Sequence, residues 1–374
     1  MSGLYIHVPF CRKKCVYCGF YSIASTQRKS EYLSALKLEI AMRGSYLTSR
    51  TIQTIYLGGG TPSLLTIDEL NELKVTILHH FELAQEAEIT LEANPEQLTR
   101  AYCDGLLKLG INRLSIGVQS FQDPILQFMG RQHDATHALT AIRNAREAGF
   151  DNISIDLIYG VAERDDAQWQ ADVQTAISQP VQHLSCYALT PEENSILYQQ
   201  IRHGKHAPVD DDQAARQYKQ LLTILKTTDF QHYEVSNFAR PDYNSRHNSS
   251  YWNHTPYLGL GPAAHSFDGR SRQWNPANLK QYVSNVQARI DCEERETLTD
   301  TDLYNETLLL GLRTIQGIDL QVIENRFGNT QLQQLLSYFE KEVPKTHFII
   351  QGSQLHLTET GLWFADGIAG NAFI

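Results

Sequence analysis

The sequence predicts an α/β fold in which parallel strands alternate with helices. Six short runs rich in β-branched and aromatic residues recur in the first half of the chain, and helix-length amphipathic segments separate them. Successive β-then-α units imply parallel strands joined by right-handed crossovers. Two architectures fit this order: a doubly wound open sheet, or a barrel with fewer than eight units.

The predicted elements follow one another with short connections. The strands are residues 4–8, 54–57, 88–93, 113–119, 152–158 and 183–189. The helices between them are residues 30–46, 67–81, 99–109, 135–148 and 166–178. A further strand is predicted at 232–238. The stretch 237–278 is rich in Gly, Pro, Asn and aromatic residues, which favours loops laid over the site.

Unusual residues stand at the carboxyl end of one predicted strand after another. A glycine run, 58–60, follows the second strand, Glu92 and Gln119 close the third and fourth, and Asp156 interrupts the apolar fifth. The first strand leads into a group of three cysteines. Because the carboxyl ends of parallel strands meet at one rim, we expect a single large site there.

The composition is that of an ordinary globular protein. The chain has 374 residues, of which 42% are hydrophobic and 20% charged, and its formal net charge is -10. That charge argues against a broad phosphate-binding surface, so nucleic acid is not an expected partner. Neither a long apolar run nor a signal-peptide pattern is visible, and we therefore expect a cytoplasmic protein.

The three clustered cysteines are Cys11, Cys15 and Cys18. In a reducing compartment such a cluster indicates metal ligands or redox groups before disulfides. Zinc normally takes four ligands, commonly from two Cys-x2-Cys pairs. The other cysteines are isolated: Cys103, Cys186 and Cys292. Three thiolates suit a four-iron cluster with one iron left open for an exogenous ligand. Three incidental cysteines are the remaining alternative.

The spacing Cys-x3-Cys-x2-Cys, with Tyr17 just before the last cysteine, resembles the signature of the radical S-adenosylmethionine (SAM) superfamily. The resemblance implies a [4Fe-4S] cluster on Cys11, Cys15 and Cys18, with the methionyl end of S-adenosylmethionine on the open iron. It also implies the fold: a partial (β/α)6 barrel similar to a TIM barrel.

The resemblance further implies a cofactor pocket. Gly59, Gly60 and Thr61 match a glycine motif whose bare backbone can approach the methionine end of the cofactor. Glu92 matches an acid that accepts hydrogen bonds from the ribose hydroxyls. The remaining residues that match the pocket are Tyr5, Gln119, Arg131, Asp156 and Ile158, with Ile158 on the adenine side. Taken singly, each polar residue could equally be a satisfied polar group of the core.

Within the superfamily, three stretches resemble the oxygen-independent coproporphyrinogen III oxidase group. They are residues 5–11 (YIHVPFC), 117–121 (GVQSF) and 155–160 (IDLIYG), and the similarity extends over essentially the whole chain. Two departures are visible. The oxidases carry a further cysteine where this chain has Phe20, and they extend well upstream of the cluster, whereas ten residues precede Cys11 here.

These departures point to the HemW branch, a group of haem chaperones. Residues 246–252 (RHNSSYW) contain the His-Asn-x-x-Tyr-Trp motif typical of that branch. His247, Tyr251 and Trp252 are therefore candidates for haem contact, because imidazole can bind iron and flat rings pack against a macrocycle. A core histidine among packing aromatics is the alternative. The other histidines considered are His265, a weaker candidate, and His232 and His254, expected to be structural or surface residues.

Three regions follow from these patterns. Residues 1–240 are the predicted barrel, 241–298 a linking and covering segment with the motif, and 299–374 a C-terminal winged-helix-like domain. In the last region, helices near 302–313, 320–326 and 331–342 precede a hairpin at 348–357 and a final segment at 358–369. From Asp300 onward there are nine Asp or Glu against four Lys or Arg. The negative net charge of this region is unfavourable for DNA binding.

The resemblance implies a protein that holds the cluster, S-adenosylmethionine and haem, and transfers haem to acceptors, in particular respiratory haem proteins. The alternative is an oxygen-independent coproporphyrinogen III dehydrogenase, which converts two propionates to vinyl groups. Radical cleavage of haem, or methyl transfer, is a third interpretation. Expected partners are haem, haem-accepting proteins, an electron donor and a second copy in a cluster-dependent dimer, with any membrane contact peripheral and through membrane-bound acceptors.

Overall fold

The computed structural model of the protein describes residues 2–290 and 294–374, so Cys292 lies outside the described residues. Its first half contains six parallel strands: β1 (Gly3–Val8), β2 (Thr51–Gly59), β3 (Glu82–Ala93), β4 (Arg113–Gln119), β5 (Asn152–Tyr159) and β6 (His183–Ala188). The helices between them are α1 (Lys29–Met42), α2 (Ile67–His80), α3 (Arg100–Lys108), α4 (Asp123–Phe128), α5 (Ala135–Ala148) and α6 (Asp166–Ser178). The predicted partial (β/α)6 barrel is confirmed.

Side-chain alternation along the strands separates the core from the barrel interior. In β1, Leu4, Ile6 and Val8 are fully buried in the hydrophobic core, whereas Tyr5 lines the cavity inside the barrel. This is the two-residue period of a strand packed on both faces. Helix starts are fixed locally: Thr66 begins α2 with a capping box to Glu69.

The region after β6 is built from short strands and helices, and the prediction of loops over 237–278 was wrong. Its elements are α7 (Ile196–Arg202), α8 (Asp211–Leu225), β7 (Gln231–Glu234), β8 (Asn237–Ala239), α9 (Arg246–Trp252), β9 (Tyr257–Leu260), β10 (His265–Phe267), β11 (Ser271–Trp274), α10 (Leu279–Gln287) and β12 (Glu294–Thr297). The strand predicted at 232–238 is the hairpin of β7 and β8. Strands of three or four residues carry too little alternation to be recognised from sequence.

These short strands extend the barrel sheet on both sides. The order of the twelve strands is β12-β11-β10-β9-β1-β2-β3-β4-β5-β6-β8-β7. Strand β9 pairs in parallel with β1, from Gly3 opposite Tyr257 to Ile6 opposite Leu260, and β8 pairs antiparallel with β6. Residues 241–298 therefore contribute strands to the same sheet. The proposed domain boundaries at 240 and 298 stay predictions.

The C-terminal region has a core of its own, which includes Leu308, Ile323 and Phe339. Its elements are α11 (Asp300–Gly311), β13 (Ile318–Asp319), α12 (Leu320–Phe327), α13 (Asn329–Lys341), β14 (Phe348–Gln351), β15 (Gln354–Leu357), α14 (Glu359–Leu362) and α15 (Ala365–Asn371). Helices followed by the β14–β15 hairpin confirm the winged-helix-like prediction. None of the helices in the described ranges is long and apolar enough to cross a membrane.

Candidate functional site: a cavity along the barrel interior

A cavity of about 460 Å³ runs inside the barrel. The residues that the sequence placed in the site and that line this cavity are Tyr5, Cys11, Cys15, Cys18, Gly59, Gly60, Thr61, Glu92, Gln119, Arg131, Asp156, Ile158, His247 and Tyr251. Trp252 is the exception, since it lines a second cavity beside the barrel. The strand ends thus bring the predicted residues to one place.

The cysteine loop leaves the end of β1 and is tied back to the barrel by backbone hydrogen bonds. Cys11 N donates to Ile23 O at 3.0 Å, and Val16 N donates to Met129 O at 3.2 Å. All three thiols are free and half-buried. Burial raises the pKa of Cys11 and Cys18, so a bound metal must displace the thiol protons.

Two polar groups from neighbouring strand ends reach the thiols. Thr61 Oγ1 donates to Cys11 Sγ at 3.5 Å, and Arg131 Nη1 donates to Cys15 Sγ at 3.5 Å. Both contacts would stabilise thiolates. No group of three or more His, Cys, Asp or Glu side chains in the described ranges is arranged to hold a single metal ion. A four-iron cluster differs from such a site because three of its irons each take a separate thiolate.

The glycines at the end of β2 allow the cysteine loop to start close to the strand. A Cβ on Gly60 would lie 2.7 Å from Phe10 O and 2.8 Å from Val8 O. Gly59 has a φ of 104°, and a Cβ there would lie 2.7 Å from the His7 ring. Gly60 N also donates to Val8 O at 2.8 Å. The motif therefore has a structural role in addition to exposing backbone to a ligand.

Two carboxyl groups lie on the cavity wall. Glu92 accepts hydrogen bonds from Tyr56 Oη at 2.7 Å and from Gly59 N at 3.1 Å. Burial raises the pKa of Glu92 to about 7, with the nearby charge of Asp156 adding to the effect. Asp156 accepts from Ser115 Oγ at 3.2 Å, and burial raises its pKa as well. Perturbed carboxyl groups in a cavity are typical of a functional site.

The end of β4 has an irregular backbone. Gln119 has a φ of 69°, in the left-handed region, and the pairing of β4 with β5 shifts register between Gly117 and Gln119. This bulge turns Gln119 toward the cavity. Arg131 is held beside it, since its Nη2 donates to Gly117 O at 2.6 Å and to Asn94 Oδ1 at 2.8 Å. Backbone strain of this kind concentrates at functional sites.

His247 lies at the opposite end of the cavity from the cysteines, near the beginnings of β1 and β2. Its exposed fraction is 1%. Its Nδ1 is 2.8 Å from Thr54 Oγ1 and its Nε2 is 2.9 Å from Tyr251 Oη. The ring stacks on Tyr56 with centroids 5.1 Å apart. Burial lowers the pKa of His247 to about 3, so the imidazole is neutral, but both ring nitrogens are engaged.

The three other histidines considered from the sequence, His232, His254 and His265, do not line this cavity. His265 stacks on Trp274 with ring centroids 5.6 Å apart, and His232 stacks on Phe238 with centroids 4.5 Å apart. Burial lowers the pKa of His254, which fits a structural residue.

Several cavity residues were not singled out from the sequence: Tyr56, Arg113, Ser115, Ser185 and Tyr187. They lie on strands β2, β4 and β6 at positions whose side chains face the cavity, which recur at every second residue. Asp156 faces the cavity from β5 for the same reason. Polar residues at every second position of an otherwise apolar strand were the available signal. Arg113 is buried, and its Nε has no hydrogen-bond partner among the described residues.

A cavity inside a partial (β/α)6 barrel, with three cysteines in the loop after β1, is the arrangement of a radical SAM protein. Residues 5–176 match the Radical SAM superfamily, and residues 298–364 match the HemN C-terminal domain. The fold is similar to that of coproporphyrinogen III oxidase (HemN) from Escherichia coli, a radical SAM enzyme, with a TM-score of 0.86 and 24% identity over 100% of this chain and 90% of that one.

Similarity to curated relatives identifies the family within the radical SAM superfamily. Heme chaperone HemW of Mycobacterium tuberculosis is 33% identical, over 98% of this chain and 93% of its own length. Heme chaperone HemW of Bacillus subtilis is 31% identical, over 99% of this chain and 98% of its own length. The chain therefore belongs to the HemW haem chaperone family. Membership of the radical SAM superfamily implies a [4Fe-4S] cluster and S-adenosylmethionine, and the free thiols and the bare glycine backbone on the cavity wall fit both.

Proposed function

We propose that this protein is a haem chaperone that holds a [4Fe-4S] cluster and S-adenosylmethionine and passes haem to acceptor proteins. The similarity to heme chaperones over nearly the full length of both chains carries this proposal. The residue at the position of the oxidases' further cysteine supports it: Phe20 lines the cavity mouth and has an exposed fraction of 70%.

In this proposal Cys11, Cys15 and Cys18 hold the cluster, which supplies a single electron to the sulfonium when both groups are bound. Thr61 and Arg131 stabilise the thiolates through their contacts with Cys11 and Cys15. The carboxylate of Glu92 orients the ribose by accepting hydrogen bonds from its hydroxyls.

The remaining residues of the cofactor pocket act by shape and position. Gly59 and Gly60 admit the methionyl end. Tyr5, Gln119 and Asp156 provide polar contacts along the cavity, and Ile158 provides an apolar contact for the adenine ring. We propose that the acceptors are respiratory haem proteins and that the chain acts in the cytoplasm, in cluster-dependent dimers, meeting membrane-bound acceptors at the membrane surface.

A haem transfer assay tests this function. The anaerobically reconstituted protein is loaded with haem and mixed with an apo-protein that takes up haem, and the acceptor's spectrum is followed. We expect the acceptor to gain its haem spectrum faster with the loaded chaperone than with albumin-bound haem as a control. No acceleration would contradict the proposal.

The second candidate is an oxygen-independent coproporphyrinogen III dehydrogenase. The observation that favours it is the pair of half-buried carboxyl groups, Glu92 and Asp156, beside three free thiols in one cavity. Anaerobic incubation of the reconstituted protein with coproporphyrinogen III, S-adenosylmethionine and a reductant separates the two. Turnover at ordinary enzyme rates, roughly 1 per second or more, would replace the chaperone proposal with the enzyme.

A further inference from the structure

A second cavity lies between the barrel and the C-terminal region. Its volume is about 880 Å³, which falls in the range of roughly 300–1,000 Å³ that small-molecule sites occupy. The first cavity has about 460 Å³, and in the proposed function it already has to admit the cluster and the nucleotide. A tetrapyrrole therefore has more room in the second cavity, called the cleft below.

The cleft wall is rich in aromatic side chains that are unusually open to solvent. Tyr187, Trp363 and Phe364 have exposed fractions of 45%, 36% and 49%, and all three line the cleft. Trp363 packs on Tyr218 with ring centroids 5.0 Å apart. Exposed rings grouped in a concave site indicate a large, flat, apolar ligand.

One histidine in the cleft is suited to bind a metal. His347 stacks on Phe364 with ring centroids 5.2 Å apart and an interplanar angle of 12°, which fixes its orientation. No hydrogen bond to either of its ring nitrogens is present among the described residues, in contrast to His247, whose two nitrogens are both engaged. An imidazole with a free nitrogen is a common iron ligand.

The cleft also touches the His-Asn-x-x-Tyr-Trp motif. Helix α9 forms part of the wall between the cavities: His247 and Tyr251 line the first, Trp252 lines the cleft, and Asn248 lines both. The Nε1 of Trp252 is buried without a hydrogen-bond partner among the described residues. A buried indole N–H usually has an acceptor, so this donor is available to a polar group of a ligand.

The charges of the cleft restrict how a tetrapyrrole dicarboxylate can lie in it. Arg313 is the one Lys or Arg among the described residues that line the cleft, which also include the acids Glu234, Glu342 and Asp366. Asp366 accepts from Nε and Nη2 of Arg313 at 2.6 and 2.7 Å, which leaves Nη1 for a carboxylate. One propionate can meet Arg313, and the other then has to point to solvent.

We infer that the cleft is the haem site, with His347 as the iron ligand and with Trp363 and Phe364 as aromatic contacts. The inference rests on the proposed haem chaperone function and adds a place for the cargo, next to the nucleotide cavity, with Tyr187, Asn237 and Asn248 lining both. Within the motif it assigns haem contact to Trp252, and it makes His247 a positioning residue that fixes α9 through Thr54.

The test is a set of titrations on the full, reconstituted chain with haem and with iron-free protoporphyrin IX. We expect His347→Ala to shift the Soret band and to weaken haem binding by about tenfold or more, while protoporphyrin binding stays at the wild-type level. Trp363→Ala should weaken both ligands by about tenfold. The matched control is His356→Ala, on β15, which pairs with the strand that follows His347 but lines another cavity, and it should bind both ligands like the wild type.

The outcomes distinguish a failure of the chaperone function from a failure of the haem site alone. Wild-type protein that binds no haem would overturn the chaperone function and the haem site together. Wild-type binding that survives His347→Ala with an unchanged Soret band would overturn the site alone. Loss of the Soret band in a His247→Ala variant that still unfolds cooperatively, with a normal spectrum in His347→Ala, would move the iron ligand into the barrel.

Discussion

Substituting Gly60 by alanine is the sharpest test of how the strand end positions the cysteine loop. The added Cβ would lie 2.7 Å from Phe10 O and 2.8 Å from Val8 O, and 3.0 Å from Phe10 N. All three neighbours are backbone atoms, so no side chain can turn away, and the segment that leads to Cys11 has to shift. Overpacking of this kind costs about 1–3 kcal/mol.

Two measurements check the effect of Gly60→Ala. Thermal unfolding should start lower by roughly 1–2 °C for each kcal/mol lost. The iron content after anaerobic reconstitution should fall, because Cys11 moves relative to Cys15 and Cys18. The control is Gly370→Ala in α15, where an added Cβ meets nothing within 4 Å; it should be neutral or slightly stabilising. Wild-type iron content and unfolding temperature in Gly60→Ala would refute the reasoning.

Four further predictions follow from the site. Cys15→Ala should abolish the cluster absorbance and leave thermal unfolding nearly unchanged; retained iron would contradict the ligand assignment. Because the pKa of Glu92 is raised to about 7, its carboxylate fraction rises from about a tenth at pH 6 to about nine-tenths at pH 8. Calorimetry should therefore show tighter S-adenosylmethionine binding at pH 8 than at pH 6. Glu92→Gln should remove that pH dependence. His247→Ala should lower the free energy of unfolding by about 2–4 kcal/mol in denaturant titrations, since two buried hydroxyls lose their partner; a loss under 0.5 kcal/mol, typical of surface sites, would contradict this. Arg113→Met should shift the pH dependence of S-adenosylmethionine binding to higher pH, because the Arg113 charge lowers the pKa of Glu92; an unshifted dependence would contradict this.

The parallel half of the fold was predictable because its signals are local and repeated. The predicted ranges of β4 and of the helices at 135–148 and 166–178 coincide with the observed elements. Gly149 in the left-handed conformation ends α5, and Asp165 begins α6 with a capping box. In contrast, β9 acquires its structure from pairing with β1, more than 250 residues earlier in the chain, and no local pattern encodes such a partner.

The site residues also divide into those that could be placed from the sequence and those that could not. Residues at strand ends, such as Glu92 and Gln119, could be assigned to the rim because strand direction fixes which end faces the site. The motif after β8 could not be oriented, because the helix that carries it was not predicted. Its His247 and Trp252 are five residues apart and line different cavities, a separation that follows from the helical period and is invisible while the segment is regarded as a loop.

The position of α9 connects the two cavities physically. Glu88 accepts hydrogen bonds from the backbone N of Arg246 and of His247, both at 3.0 Å, and Thr54 contacts the His247 ring, so the helix start is held by β2 and β3. Its other end carries Trp252, whose ring lies under the Arg313 guanidinium at 5.9 Å. A ligand that moves a strand on the nucleotide side would therefore move a cleft residue through one short helix. If loading with S-adenosylmethionine leaves haem affinity unchanged, this connection carries no coupling free energy, and the cavities act independently.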